Sequence, residues 1–343
     1  MKRLANVLYI TTPETYLSLD GENVVIKKDE TTSTRLPLHN IENIVCFNWQ
    51  GASPALMGAC AERHIGLAFL APSGRFLARV SGRVQGNVLL RRKQFEVAES
   101  EAQRVPIAAS FLMGKIANSR KVLERALRDH AMLVDVKALT SASNFLKETL
   151  RALPQCKSTA DLMGFEGSAA KIYFGVFDHL ILQQKEEFRF EERNRRPPLD
   201  NMNSLLSFLY TLLTNEAASA LETVGLDPFV GFLHRDRPGR PSLALDLMEE
   251  LRPVMADRLA LSLVNRKQVT GKGFTKKESG GILMDDETRK AVITAWQERK
   301  KEELMHPYLK EKIPFGLLPH VQAMLLARYL RGDLDAYPPF FWT

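Results

Sequence analysis

Cysteine is scarce in this chain: Cys46, Cys60 and Cys156 are three residues among 343. An odd count with no CxxC spacing excludes a disulfide framework and a zinc knuckle, and leaves each thiol as a small buried apolar group. Long apolar runs are also lacking. No stretch approaches the ~18 consecutive apolar residues that a membrane span needs. The run Leu4 to Ile10 follows Lys2 and Arg3 as a signal peptide would, but Asn6 interrupts it and Thr11, Pro13 and Glu14 end it, so it reads as a first strand. The expected compartment is the cytoplasm, with no membrane association. Internal repeats and low-complexity segments are absent too, which excludes a solenoid or a collagen-like chain. What remains is an ordinary globular composition, 45% hydrophobic and 25% charged, in a chain long enough for two domains with separate cores.

The charge is moderately basic, with 47 Lys and Arg against 40 Asp and Glu and a formal net charge of +7. That balance suits a polyanionic partner without requiring one. Its placement says more than its total. From Arg75 to Lys93 there are six basic residues (Arg75, Arg79, Arg83, Arg91, Arg92, Lys93) and no acidic one. Further clusters lie at Arg193, Arg195 and Arg196, at Arg235, Arg237 and Arg240, and at Arg266, Lys267, Lys272, Lys276 and Lys277.

Periodicity divides the chain. Tyr16 to Leu19 and Val24 to Ile26 flank Asp20-Gly21-Glu22-Asn23, a hairpin signal, and Ile41 to Phe47 is a further β-rich run. Ser53 and Pro54 open a short helix with Leu56, Met57, Cys60 and Ala61 on one face. Strand pattern returns at Gly66 to Leu70 and Phe76 to Val80 around the turn Ala71 to Gly74. After Val88 the period is helical throughout, as in Phe111, Ile116, Val122, Leu123 and Leu127, or Leu205, Leu206, Leu209, Leu212 and Leu213 behind Asp200 and Asn203. The spacing therefore predicts an α+β protein. A small β-rich, β-sandwich-like domain spans residues 1–84, a basic connector 85–105, and a larger all-α domain 106–343.

Two familiar motifs fail on inspection. His234-Arg235-Asp236 imitates a kinase catalytic loop, but Pro241 stands where the Asn is needed and no Gly-rich loop precedes it. Thr270-Gly271-Lys272-Gly273 imitates the end of a phosphate loop, but Arg266 occupies its first glycine and Gly273 its Ser or Thr. Three other segments survive. Gly164-Phe165-Glu166-Gly167-Ser168-Ala169-Ala170 starts a helix with a lone carboxylate among small, accessible neighbours. Gly231-Phe232-Leu233-His234 precedes the turn Pro238-Gly239-Arg240-Pro241. Ser242 then caps a helix in which Asp246 and Glu249, spaced i, i+3, share a face. Taken singly, these acids suit the helix dipole and the histidine suits a structural hydrogen bond.

Together they resemble the CRISPR-associated integrase and endonuclease of the spacer-adaptation module. The residues that carry the likeness are Gly-Phe-Glu-Gly around Glu166, Gly-Phe-Leu-His at His234, and Ser-Leu-x-x-Asp-Leu-x-Glu-x-x-Arg-Pro from Ser242. Asn87, Arg91 and Gln94 belong to it, as do Gln322-Ala323 and Leu330-Arg331-Gly332-Asp333. The likeness covers residues 80 to 343, and the ending Tyr337-Pro338-Pro339-Phe340-Phe341-Trp342 is similar to the subfamily of type I-C systems.

The resemblance implies a metal site on Glu166, His234 and Glu249, with Asp246 one turn earlier as a competing acid. Two carboxylates and an imidazole suit Mg²⁺ or Mn²⁺. It implies phosphodiester transesterification, in which a 3′-hydroxyl of protospacer DNA attacks the repeat array. It also implies a homodimer, two of which are bridged by a small companion Cas protein, with double-stranded DNA as substrate. Arg240 and Arg252 flank the proposed site and are the foremost phosphate contacts; Arg237, Lys272, Lys276 and Lys277 follow, and Tyr210 sits where the family has a tyrosine near DNA. The alternatives are a metal-dependent nuclease acting on branched DNA and a basic, non-enzymatic DNA-binding scaffold.

Overall fold

The computed structural model of the protein describes residues 6–12, 14–28, 33–48, 50–71, 75–80, 82 and 88–343. The chain divides near residue 85 into two compact units, with residues 286–293 belonging to the first. Asn87, Arg83 and the tip of the Ala71 to Gly74 turn lie outside the described residues.

In the first unit β1 (Val7–Ile10) is followed by the hairpin β2 (Tyr16–Asp20) and β3 (Asn23–Lys27), then β4 (Ser33–Pro37) and β5 (Asn43–Cys46). Helix α1 (Pro54–Glu62), β6 (Gly66–Leu70) and β7 (Phe76–Val80) complete it. Asp20 pairs with Asn23, so Gly21 and Glu22 form the two-residue loop that the Asp-Gly signal predicts. β2, β3 and β4 make one antiparallel sheet. The other sheet has the order β1-β5-β6-β7, parallel except for its last pair. The parallel step from β5 to β6 needs a crossover, which α1 supplies. Ser53 caps α1 by accepting the Leu56 N–H at 3.2 Å. Both sheets and α1 contribute to one apolar core that includes Leu17, Val24, Ile44, Leu56 and Leu67. Cys46 and Cys60 lie in that core with free thiols, whereas Cys156 is only half-buried. Residues 286–293 join this unit as the first half of a long helix, and the Arg289 guanidinium there lies 5.7 Å over the Phe47 ring.

The second unit begins with α2 (Val88–Glu99) and the long α3 (Glu101–Asp129), so helix runs from Val88 through most of the stretch expected as a connector. There follow α4 (Val136–Ala152), α5 (Thr159–Gly175), α6 (Asn201–Thr223) and α7 (Ser242–Arg252). A π-helical turn, Pro253–Asp257, links α7 to α8 (Arg258–Asn265). Next come β8 (Phe274–Lys276), β9 (Ile282–Met284), α9 (Asp286–Lys301), β10 (Glu303–Met305), β11 (Lys312–Pro314) and α10 (Leu318–Leu330). This unit is therefore not all-helical. It carries the antiparallel ribbons β8-β9 and β10-β11, whose three-residue strands are too short to leave a period of two in the sequence.

Two local expectations also shift. Ser158 caps α5 by accepting the Asp161 N–H at 3.1 Å, so the helix begins well ahead of Gly164 and Glu166 sits mid-helix rather than at a helix start. Ser242 is the first residue of α7 rather than its cap, and its hydroxyl donates to the Arg235 carbonyl at 3.1 Å. Asp200 does cap α6, accepting the Asn203 N–H at 2.7 Å. Among the described residues no helix is long and apolar enough to cross a membrane.

Helix α3 packs against α2, α4, α5 and α7. Its approach to α7 is closest at Gly114, where a Cβ would lie 2.6 Å from Glu250 Cβ. Alanine is the better helix former, yet here it would overlap a side chain that is itself fixed by hydrogen bonds. Gly114→Ala should therefore lower stability by about 1–3 kcal/mol through overpacking. Urea unfolding would measure this, and an unchanged or raised midpoint would contradict the close approach.

Candidate functional site

The approach at Gly114 delivers the next residue, Lys115, to the carboxylates of two other helices. Its Nζ lies 2.5 Å from Glu166 Oε1 on α5 and 2.8 Å from Glu249 Oε2 on α7. The Lys115 and Glu249 side chains are 8% and 4% exposed, whereas Glu166 is 24% exposed. Glu249 also meets Arg252 on the same helix, with Oε1 3.0 Å from Nη2. Burial pushes the Glu249 carboxyl upward, but the Arg252 and Lys115 cations outweigh it and hold the group well below the usual carboxylate range.

Asp246 does something different. It is fully buried, and both of its oxygens are occupied. Oδ2 accepts the N–H groups of Phe232 at 2.6 Å and Leu233 at 2.9 Å; Oδ1 accepts the His234 N–H at 2.9 Å and faces His234 Nδ1 at 2.7 Å. A carboxylate oxygen accepts, so this contact puts a proton on Nδ1 and makes Nε2 the nitrogen that offers a lone pair in the neutral ring. The segment can wrap this closely because residue 231 is glycine: a Cβ there would meet Asp246 Oδ2 at 2.9 Å and Ser242 Cβ at 2.8 Å. Gln94 on α2 braces the chain just before it, donating to the carbonyls of Asp227 and Val230 at 2.8 and 2.9 Å.

The basic residues separate into two groups. Arg252, expected at phosphate, is turned inward: it pairs with Glu249 and lies 4.5 Å over the Tyr210 ring. Tyr210 is likewise engaged, its hydroxyl donating to Asp257 Oδ1 at 2.6 Å, and Tyr173 donates to the other Asp257 oxygen at 3.1 Å. Burial raises the Asp257 carboxyl to about 6 despite these bonds. Arg240, by contrast, stands in a cationic neighbourhood. Partial burial lowers its pKa, and so do the Arg237, Arg195 and Arg196 guanidiniums, whose side chains are exposed. Lys272, Lys276 and Lys277 are exposed on and around β8, and no contact in the structure draws them to Glu166 or Glu249.

Glu250, which follows Glu249 on α7, meets a different set of partners. It accepts from Tyr337 Oη, from the Phe340 N–H at 2.6 Å and from Gln322 Nε2 at 3.1 Å. Asn118 adds bonds from α3 to the carbonyls of Glu250 and Phe340 at 2.7 and 2.9 Å. These contacts fasten the C-terminal segment to α3, α7 and α10. Lys115, Asp257 and Glu250 are not among the residues that the sequence singles out. Lys115 alone carries a signal there, as a charge within the apolar run Phe111-Leu112-Met113-Gly114-Lys115-Ile116.

Among the described residues no three carboxylate, imidazole or thiol groups converge into a finished metal cage. The donor chemistry nonetheless suits a hard cation. Glu166 and Glu249 already share one cation, the Lys115 ammonium, which is the partner of the buried Glu249 Oε2. His234 is close enough to lower Glu249 electrostatically.

Comparison with known proteins identifies the fold and the family. The fold is shared with a casposase bound to its integration product, with a TM-score of 0.85 at 21% identity over 98% of this chain and 94% of that one. It is shared as well with a Cas1 protein from Thermotoga maritima, at TM-score 0.80 and 24% identity over 97% and 99% of the two chains. Residues 8–298 match the family described as CRISPR associated protein Cas1. The chain is 54% identical to CRISPR-associated endonuclease Cas1 2 of Rhodospirillum rubrum and 51% identical to CRISPR-associated endonuclease Cas1 1 of Chlorobaculum tepidum, over the full length of each pair. The chain belongs to the Cas1 family.

Burial raises the Glu250 carboxyl from 4.5 to about 7, its hydrogen bonds limiting the rise. A carboxyl raised on folding favours the native state fully below its unfolded value and loses that contribution as pH rises through its folded value. Stability should therefore decline between about pH 4.5 and 7 on account of Glu250, and Asp257 acts in the same direction. Glu250→Gln should flatten this decline in denaturant titrations at about pH 5 and pH 8. An equal decline in the variant would remove Glu250 as its source.

Proposed function

We propose that this chain is a divalent-metal-dependent integrase and endonuclease of CRISPR adaptation, which joins 3′-hydroxyl ends of short protospacer DNA to a repeat array. The observation that carries the reading is the pair Glu166 and Glu249 sharing one cation, with a nearby histidine whose ring is oriented by Asp246. In this reading Glu166, His234 and Glu249 hold Mg²⁺ or Mn²⁺. When bound, that ion polarises the phosphate and stabilises the charge that builds on the in-line oxygens. The attacking 3′-oxygen forms the new P–O bond while the 3′-oxygen of the repeat strand leaves and takes up a proton, so no protein nucleophile is required. Asp246 positions His234 rather than serving as a ligand, since its oxygens already accept four hydrogen bonds. Arg252 and Tyr210 support Glu249 from within, and Arg240 and Arg237, with Arg195 and Arg196, receive backbone phosphates. Lys272 adds exposed charge farther along the chain.

The active form is a homodimer built through the β-rich first unit, with two dimers bridged by a small companion Cas protein. A fold neighbour named as a Cas6-RT-Cas1–Cas2 complex supports only the association with a companion protein; the match covers 100% of this chain and 36% of that one at TM-score 0.83.

Glu166→Ala, His234→Ala and Glu249→Ala should each reduce strand transfer roughly a hundredfold or more while duplex binding persists. Asp246→Asn should lose about 10- to 100-fold, because it disturbs the tautomer of His234 rather than removing a ligand. Strand-transfer assays with and without Mg²⁺ or Mn²⁺ decide this: full activity of Glu166→Ala defeats the metal site, and cleavage without joining favours a nuclease acting on branched DNA.

Duplex affinity should fall steeply with salt. Arg240→Ala should reduce the slope of log K against log salt by about one, the value for a single lost phosphate contact. Binding isotherms at several salt concentrations measure the slope, and an unchanged one would show that Arg240 faces away from DNA.

A further inference from the structure

Lys115 is a buried lysine whose ammonium touches two carboxylates from two different helices, and the function proposed above gives it no task. Without a cation between them, Glu166 and Glu249 would face each other in a medium where like charges repel strongly. A lysine is suited to fill that place temporarily. Its stem is flexible and its charge is a compact point, whereas the Arg252 guanidinium is fixed over Tyr210 and pairs with the other Glu249 oxygen. The same ammonium lies 2.8 Å from Glu249 Oε2 and also reaches Glu166, so a single mobile side chain holds both carboxylates and a single movement frees them.

We propose that Lys115 is a built-in placeholder for the divalent ion. Its ammonium ties α5 to α7 when no metal is bound and releases both carboxylates when a metal enters. This rests on the metal-site reading given above. Glu166, Glu249, Lys115 and Arg252 together carry no net charge. Metal entry exchanges a singly charged cation for a doubly charged one, so the neutral cluster becomes positive by one charge, with the displaced ammonium nearby, at the place where a phosphodiester must dock. The placeholder keeps the two carboxylates on one cation, and its displacement makes anion affinity depend on the metal.

The test measures Mn²⁺ binding to the full chain without DNA, by electron paramagnetic resonance of the free ion, together with thermal unfolding. Lys115→Met should bind Mn²⁺ about tenfold more tightly or better, because no internal cation competes. It should melt at a lower temperature than the parent without metal and gain more than the parent when Mn²⁺ is added. A folded Lys115→Met with equal or weaker Mn²⁺ affinity, in a background where Glu166→Ala abolishes binding, overturns the placeholder and leaves the metal site standing. Parent binding that Glu166→Ala does not alter overturns the metal-site reading itself, and the placeholder with it. Should Lys115→Met fail to fold, reductive methylation of the parent decides: Lys115 should be protected without Mn²⁺ and modified with it, and equal modification in both states overturns the proposal.

Discussion

The contact on which the second unit depends is the approach of α3 to α7 at Gly114 and Glu250. Only a residue without a side chain lets these backbones come so near. The next residue on α3, Lys115, reaches Glu249 and Glu166; one helical turn after Gly114, Asn118 reaches the Glu250 carbonyl and the C-terminal segment. The site and the docking of the chain's last residues are thus set by one helix crossing.

Helix α7 shows how far environment separates like groups. Asp246, Glu249 and Glu250 lie on one short helix, and all three are buried. Asp246 meets backbone N–H groups and an imidazole, and so organises a loop. Glu249 meets two cations and stays ionised far below the usual range. Glu250 meets neutral donors and is raised to about 7. Their neighbours come from different elements, which is why three neighbouring acids acquire three different behaviours.

The arginines follow the same logic. Arg252 and Arg193 lie over Tyr210 in the interior, while Arg195, Arg196, Arg237 and Arg240 are near enough to repel one another where solvent can screen them. Charge clusters along the sequence therefore give the presence of a basic surface but not its membership.

The segments around Glu166, His234 and Glu249 stand out through their resemblance to a family, whereas local sequence was enough for the β-rich start, the Asp-Gly hairpin, the caps of α1 and α6 and the switch to helical period near Val88. Each of these rests on spacing or on turn chemistry that neighbours in sequence complete among themselves. The short ribbons β8-β9 and β10-β11, the true start of α5, the inward turn of Arg252, the different surroundings of Asp246 and Glu249, and the place of Lys115 emerge only once the helices are packed. Lys115 is separated from Glu166 by 51 residues, and Asp246 from the loop it holds by 12 to 14. Which partner a buried charge finds depends on helix crossings that no local pattern encodes.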